Sequence, residues 1–162
     1  AERSQAGEVG MIVKLPGNKW ISDMTMDVVA FKSTFDQLIE ANQNDKGIIH
    51  FENITDARIS GLEVSLLGAM LNKSILFSTA YTQLNPEEID KDGNTIDTLA
   101  YRFRYTLVTT IGTRLMGVTA TLENRYMSRI ERVKLFQENV ISGEDKRVPI
   151  HIWNASFRFC AN

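Results

Sequence analysis

Nearly every stretch of this chain long enough to carry a pattern alternates apolar and polar residues with a period of two. From Ser22 onward, Met24, Met26 and Val28 fall on one side, and Asp23, Thr25 and Asp27 on the other. Successive side chains of a β-strand point to opposite faces, so this is a strand with one wet face. The sorting recurs with Leu62, Val64, Leu66 and Met70 against Glu63 and Ser65, and with Val118, Ala120 and Leu122 against Thr119, Thr121, Glu123 and Arg125. Trp153, Ala155, Phe157 and Phe159 likewise alternate with Asn154, Ser156 and Arg158. A helix turns once in about 3.6 residues and would mix these sets. The expected fold is therefore all-β, with seven strands near 8–15, 20–38, 47–71, 74–84, 101–113, 117–131 and 149–160 of a single segment, residues 1–162. The third is too long for one regular strand and is expected to bend or bulge near Asn53 to Asp56. Phe35, Leu38 and Ile39 carry a helical spacing, as do Ile130, Val133 and Phe136 or Gln137; both stretches are read as strand extension or loop.

The connections alternate in length. Pro16-Gly17-Asn18, Asn72-Lys73 and 114–116 are short, whereas 39–46, 85–100 and 132–148 are longer. In an antiparallel up-and-down meander every second connection lies at the same end, so the tight turns gather at one end and the long loops at the other. Outer-membrane barrels have this asymmetry, and about 9 to 11 tilted residues suffice to cross a bilayer. With the short turns on the inner side, Tyr105, Tyr126 and Trp153 lie toward the outer interface and Trp20 and Phe159 toward the inner one, where aromatic girdles sit. Aromatic residues at the strand ends of a soluble core produce the same placement.

Composition excludes several function classes. A formal net charge of −2 provides no electrostatic footprint for nucleic acid. The longest apolar run, Leu66 to Leu71, is far shorter than the roughly 20 residues of a membrane helix, which leaves spanning by strands open. The single cysteine, Cys160, allows no internal disulfide and carries no signature of an activated nucleophile. The first residues lack the basic start and apolar core of a signal peptide.

Specific residues then suggest a family. Residues 31–68 resemble a stretch of the TonB-dependent outer-membrane receptors, in which a strand runs through a Leu-Ile pair, here Leu38 and Ile39, to a variable loop. The chain of those receptors returns through a motif that Phe51, Asn53, Ala57, Gly61 and Glu63 match. Residues 99–126 resemble the following hairpin, whose aromatic-basic opening is matched by Tyr101, Arg102, Arg104, Thr106 and Leu107. The two patches stand in the family's order and separation. The resemblance covers roughly residues 8–160 and implies a partial transmembrane β-barrel from the C-terminal part of a receptor. Barrels of this family have about 22 strands and a plugged lumen. The resemblance implies an outer-membrane location in a Gram-negative bacterium and lipid around the barrel. It also implies a small-molecule, metal-chelate or glycan ligand, and a TonB-type energy-coupling protein acting through parts of the receptor outside this chain. No plug or energy-coupling segment is recognisable, and Phe159-Cys160-Ala161-Asn162 is not the terminal aromatic strand usual in such barrels, so the chain is expected to be a piece of one. Its open strand edges would favour self-association.

Arg58 tests this orientation, since it shares the parity of Leu62 and Val64 and would face lipid, where a charge costs about 2 to 4 kcal/mol at mid-depth. It either rises above the hydrocarbon along a regular strand or is turned inward by a bulge between Arg58 and Leu62. Other candidate sites are weak. His50 and His151 have no metal-ligand spacing, and no metal or cofactor is expected. Asp90 to Asp97 resembles a calcium loop with its glycine misplaced and no closing glutamate, and is read as a solvated acidic turn bending at Asp92-Gly93. Glu123 and Arg125 share a face and are expected to pair. No Gly-rich phosphate loop, nucleophile elbow or catalytic constellation occurs, so the chain is read as non-enzymatic.

The first reading is thus a wall portion of a receptor that binds and imports a scarce nutrient, inactive alone, with ligand contacts expected in 85–100 and 132–148. The second is a soluble, lipocalin-like barrel holding a small apolar ligand, for which Gly17 and Trp20 stand one residue too far apart. The direction of the apolar face separates the two: inward for a lipocalin, outward for a membrane wall.

Overall fold

The computed structural model describes residues 3–43, 49–115, 117–131 and 147–159, with side chains for all of these except 40–43, 49, 50, 52–55 and 115. The alternating segments form eight strands: β1 (Arg3–Leu15), β2 (Ile21–Gln43), β3 (Ile49–Met70), β4 (Ile75–Ile89), β5 (Thr95–Thr98), β6 (Tyr105–Leu115), β7 (Val118–Met127) and β8 (Ile150–Phe159). Every pairing is antiparallel, and the sheet order is β1-β2-β3-β4-β6-β7-β8, with β5 beside the far end of β4. The connections β1–β2, β3–β4 and β6–β7 are tight and lie at one end; β2–β3, β4–β6 and β7–β8 lie at the other.

The strand boundaries differ from the expected ones in five places. β1 begins at Arg3, and β2 continues through Phe35, Leu38 and Ile39, so the helical spacing there belongs to a strand. β4 runs on to Ile89 and pairs with the unexpected β5, which makes most of 85–100 an ordered hairpin. Residues 101–104 precede β6, and beyond Met127 only the isolated bridge Phe103↔Ile130 continues the pairing. Val133, Phe136, Gln137 and Cys160 lie outside the described residues.

The irregularity expected on β3 is shared between two strands. Phe35↔Ala57 is followed by Leu38↔Thr55 and then Ile39↔Asn53, so β2 and β3 each carry one extra residue. Gln37 turns with a φ of 57°, and its N–H donates to Asp56 Oδ1 at 2.8 Å. This bond satisfies a donor that the bulge removes from the ladder. Pro86 sits where β4 has left β6 and is taking up β5: Leu84 N–H donates to Arg104 O, and Leu99 N–H donates to Pro86 O. A strand residue's N–H and C=O point to the same side, so the missing proline donor falls in that gap.

The register sorts side chains into continuous rows. One face carries Val13–Met26–Leu66–Thr79–Thr109–Asn124–Trp153, flanked by Leu15–Met24–Gly68–Phe77–Ile111–Leu122–Ala155 and Met11–Val28–Val64–Tyr81–Leu107–Tyr126–His151. The other carries mixed rows such as Ile12–Asp27–Ser65–Ala80–Val108–Arg125–Ile152. Among the described residues nothing covers the apolar face. The accessible surface is 11632 Å², whereas a compact 18.3 kDa monomer exposes about 8,100 Å². Only Ala57, Ala69, Leu99 and Ala100 are buried apolar residues among those described, while Phe157 and Phe159 are 70% and 78% exposed.

Within the sheet itself, packing is close at Gly61. A Cβ there would lie 2.5 Å from both the Gln83 carbonyl oxygen and the Phe31 ring, whereas one at Gly7 meets nothing within 4 Å. Gly61→Val is therefore expected to destabilise the fold by about 1–3 kcal/mol, and Gly7→Ala to leave it within about 0.5 kcal/mol, measured as urea midpoints in detergent micelles. Equal midpoints for the two variants would contradict the packing described.

Candidate functional site

Charge is what divides the sheet into functional zones. On the apolar face, Leu62 through Met70 of β3, Ile75 through Gln83 of β4 and Val118 through Tyr126 of β7 are each nine residues without Asp, Glu, Lys or Arg on that face. At a strand tilt of about 40° nine residues rise about 23 Å, close to the apolar band of about 25 Å on outer-membrane barrels. Tyr81, Tyr126 and His151 share the row at its long-loop edge; Tyr105 stacks on Tyr81 at 6.4 Å between ring centroids, and Tyr126 meets His151 at 4.9 Å. Trp20 and Phe159 stand at the tight-turn end, as the alternation of turns implied. Tyr81 completes the upper cluster but carried no signal of its own inside a run of strand residues.

The charges on this face lie beyond that band, toward the long loops. β3 keeps an unbroken register with β4 from Asp56 to Met70, so no bulge turns Arg58 inward. Arg58 emerges above the band opposite Glu87, with Nε donating to Oε2 at 2.6 Å. Arg58 Nη2 donates to Thr95 Oγ1 at 3.1 Å, and Thr95 Oγ1 donates to Glu87 Oε1 at 2.9 Å. The Arg58 hydrogen bond holds the Glu87 carboxyl below its ordinary value, against the opposing effect of burial. The network ties the β4–β5 hairpin to β3. Its tip is the acidic turn expected at Asp90: Asp90 Oδ1 accepts from the N–H groups of Asp92 and Asn94, Oδ2 accepts from Asn94 Nδ2, and Gly93 bends at a φ of 82°. These bonds, led by that of the Asn94 side chain, lower the Asp90 pKa.

The residues of the family-like motifs fall in three places. Ala57 is fully buried and Gly61 lies under Phe31, both on the polar face, where Glu63 is exposed. Phe51 is 75% exposed on the long-loop part of β3, beside Asn53, whose side chain is outside the described set, as is that of His50. Tyr101, with a φ of 60°, and Arg102 belong to the turn before β6. Arg104 pairs with Glu131 at 2.8 Å. Arg147 Nη1 donates to Glu131 O at 2.6 Å, so Glu131 joins the start of β6 to the approach to β8. Buried Ser128 accepts from the N–H groups of Arg104 and Tyr105. Neither Ser128 nor Glu131 was marked by any motif. Thr106 and Leu107 lie within β6, on opposite faces.

The polar face holds the remaining functional candidates. Glu123 and Arg125 approach at 3.7 Å, and Asn154 Nδ2 donates to Glu123 Oε1 at 3.4 Å. On β1–β3 a hollow of about 450 Å³ is lined by Ala6, Glu8, Val29, Phe31, Ser33 and Glu63, and a smaller one of about 130 Å³ adjoins it at Val29 and Glu63 and includes Asp27. Among the described residues β1 and β8 do not pair, so the apolar face encloses no lipocalin-like interior.

The Glu87 and Asp90 shifts predict an acid response. Their folded-state values lie below the ordinary values of 4.5 and 3.8, so both stabilise the hairpin fully above those values and lose that contribution as the pH falls through the lowered ones. Amide exchange at Thr95–Thr98 is expected to quicken below about pH 4.5, less so in Glu87→Gln, and not at all in Glu87→Gln with Asp90→Asn. An acid step of unchanged size in the double variant would exclude this origin.

No protein-family model and no curated protein matches the chain. Among solved structures it is similar to the ferric-catecholate import receptor Fiu of E. coli K12 in its closed form, with 16% identity and a TM-score of 0.54 over 96% of this chain. The chain spans 20% of that receptor's length, and at this identity the likeness concerns the fold alone: an open antiparallel sheet, consistent with part of a β-barrel.

Proposed function

We propose that this chain forms part of the wall of an outer-membrane receptor β-barrel in a Gram-negative bacterium. The receptor captures a scarce nutrient, such as a metal chelate or glycan, at its long-loop end and imports it with energy from a TonB-type protein. The observation that carries this reading is the charge-free apolar band on one face of a single-layer sheet, opposite a face of mixed polarity. Water is a poor solvent for the first face and a good one for the second, and a barrel wall meets lipid on one side and a wet lumen on the other.

Strand direction supports the same reading. With seven strands in the main path and every pairing antiparallel, β1 and β8 run in the same direction. Joining them directly would make a parallel pair, so an all-antiparallel barrel needs an odd number of further strands between them. Seven plus an odd number is even, as bacterial outer-membrane barrels are. The fold likeness to an import receptor supports the functional class, and the wall alone transports nothing. Ligand contacts belong to the long-loop end, where the β4–β5 hairpin is an ordered element.

Orientation in the cell tests this. In a Cys160→Ser background, Asp92→Cys at the tip of the β4–β5 hairpin is expected to react with a membrane-impermeant maleimide on intact cells. Asn72→Cys in the β3–β4 turn is expected to react only after the outer membrane is opened. Reaction of both on intact cells, of neither on intact cells, or of Asn72→Cys alone would sink the proposed topology.

A further inference from the structure

The hollow on the polar face of β1–β3 combines acidic side chains with a close-packed apolar floor. Two neighbouring rows run Glu8–Phe31–Gly61 and Gly10–Val29–Glu63 across the three strands. The acidic side chains stand at opposite corners, and the glycines occupy the other two. Each glycine lets an apolar neighbour lie down against the backbone: an added Cβ would meet the Phe31 ring at 2.5 Å at Gly61 and Val29 Cγ2 at 3.0 Å at Gly10. Phe31 and Val29 therefore lean to opposite sides and form a low apolar floor, with a carboxylate rising at each end. Strand spacing and rise put the Glu8 and Glu63 Cα atoms about 12 Å apart. Asp27 extends the acidic side through the adjoining hollow, which shares Val29 and Glu63.

Among the described residues Glu8, Asp27 and Glu63 make no ion pair or hydrogen bond, whereas Asp23 on the same face is paired with Lys73 at 3.2 Å. The nearest base on this face of β1 is Lys14, six residues from Glu8 and so about 20 Å along the strand. With no group of three or more metal-ligating side chains among the described residues, the arrangement of two glutamates on Cα atoms about 12 Å apart across an apolar floor does not point to a metal ion. It suits an extended molecule with a positive group at each end and a hydrocarbon stem between. The stem lies over Val29 and Phe31, and a cationic group near the Phe31 ring gains from its π face.

We infer that the Glu8–Phe31–Glu63 hollow is a binding site for an aliphatic diamine or polyamine, its ammonium groups on the carboxylates and its methylene stem on the apolar floor. The site uses three adjacent strands only and does not depend on import being the protein's activity. A cation held here would ride on the polar face, where an excess of acidic groups on β1–β3 raises the local cation concentration.

Calorimetric titration of the full chain, folded in a non-ionic detergent, with spermidine as probe tests the site. One saturable binding event is expected. Glu8→Gln and Glu63→Gln should each weaken it roughly tenfold, since each removes a charge-assisted contact, and Phe31→Leu should weaken it by a smaller factor. Asp23→Asn, whose carboxylate is already paired, should leave it unchanged. Glu8 and Glu63 are exposed, so their amide variants are expected to fold, which circular dichroism checks. The inference is overturned by absence of a saturable event or by unchanged affinity in both glutamine variants. Equal displacement by magnesium at matched charge would also overturn it, because the acidic face would then act as a diffuse counter-ion field.

Discussion

A single antiparallel sheet cannot bury its own apolar face. Soluble β-proteins resolve this with a second sheet or a layer of helices, and a small barrel resolves it by curling around its own side chains. The described strands do neither: the rows from Val13 to Trp153 and from Leu15 to Ala155 are left on an open surface. About 25 cal/mol for each Å² of apolar area makes exposure of such a face in water costly. The hydrocarbon interior of a bilayer removes that cost, and the nine-residue charge-free runs match its height. The fold, the aromatic residues toward both ends of the strands and the placement of Arg58 are all consistent with that one solvent.

Where the strands leave the band, the source of order changes. Polar pairing replaces lateral apolar contact at the long-loop end: Arg58 with Glu87 and Thr95, Asp56 with the Gln37 N–H, Arg104 with Glu131, and Ser128 with two backbone donors. Most of the buried residues lie there as well, with Leu99, Ala100 and Ser128 just outside β5 and β7 and Ala57 opposite Glu88, while Ala69 is buried beside the β3–β4 turn. The β4–β5 hairpin is thus held by its own contacts.

Much of this was legible in the sequence because a sheet with one apolar and one mixed face sorts its residues strictly. The period of two assigned the faces of β2, β3, β7 and β8 correctly, and the alternation of turn lengths put Trp20 and Phe159 at one end and Tyr126 and Trp153 toward the other. For Arg58 the sequence left two outcomes open, emergence above the band or an inward turn at a bulge, and the unbroken β3–β4 register decides for the first. The features that were missed depend on contacts between distant residues. β5 is four residues with an ordinary polar composition, and its pairing exists because β4 outruns β6 past Pro86. The bulge at Gln37 needs Asp56, nineteen residues away, to satisfy its N–H. The diagonal of glutamates and glycines at the hollow appears only once the register of β1, β2 and β3 is known.

The central claim is that the face bearing Ala155 and Phe157 meets lipid and the face bearing Asn154 and Ser156 meets water. Nitroxide labels placed singly at 154, 155, 156 and 157, in a Cys160→Ser background reconstituted into liposomes, test it through collision rates with oxygen and with a water-soluble nickel chelate. Oxygen accessibility should peak at 155 and 157 and nickel accessibility at 154 and 156. The same pattern inverted, or no two-residue alternation at all, would contradict the membrane-wall account.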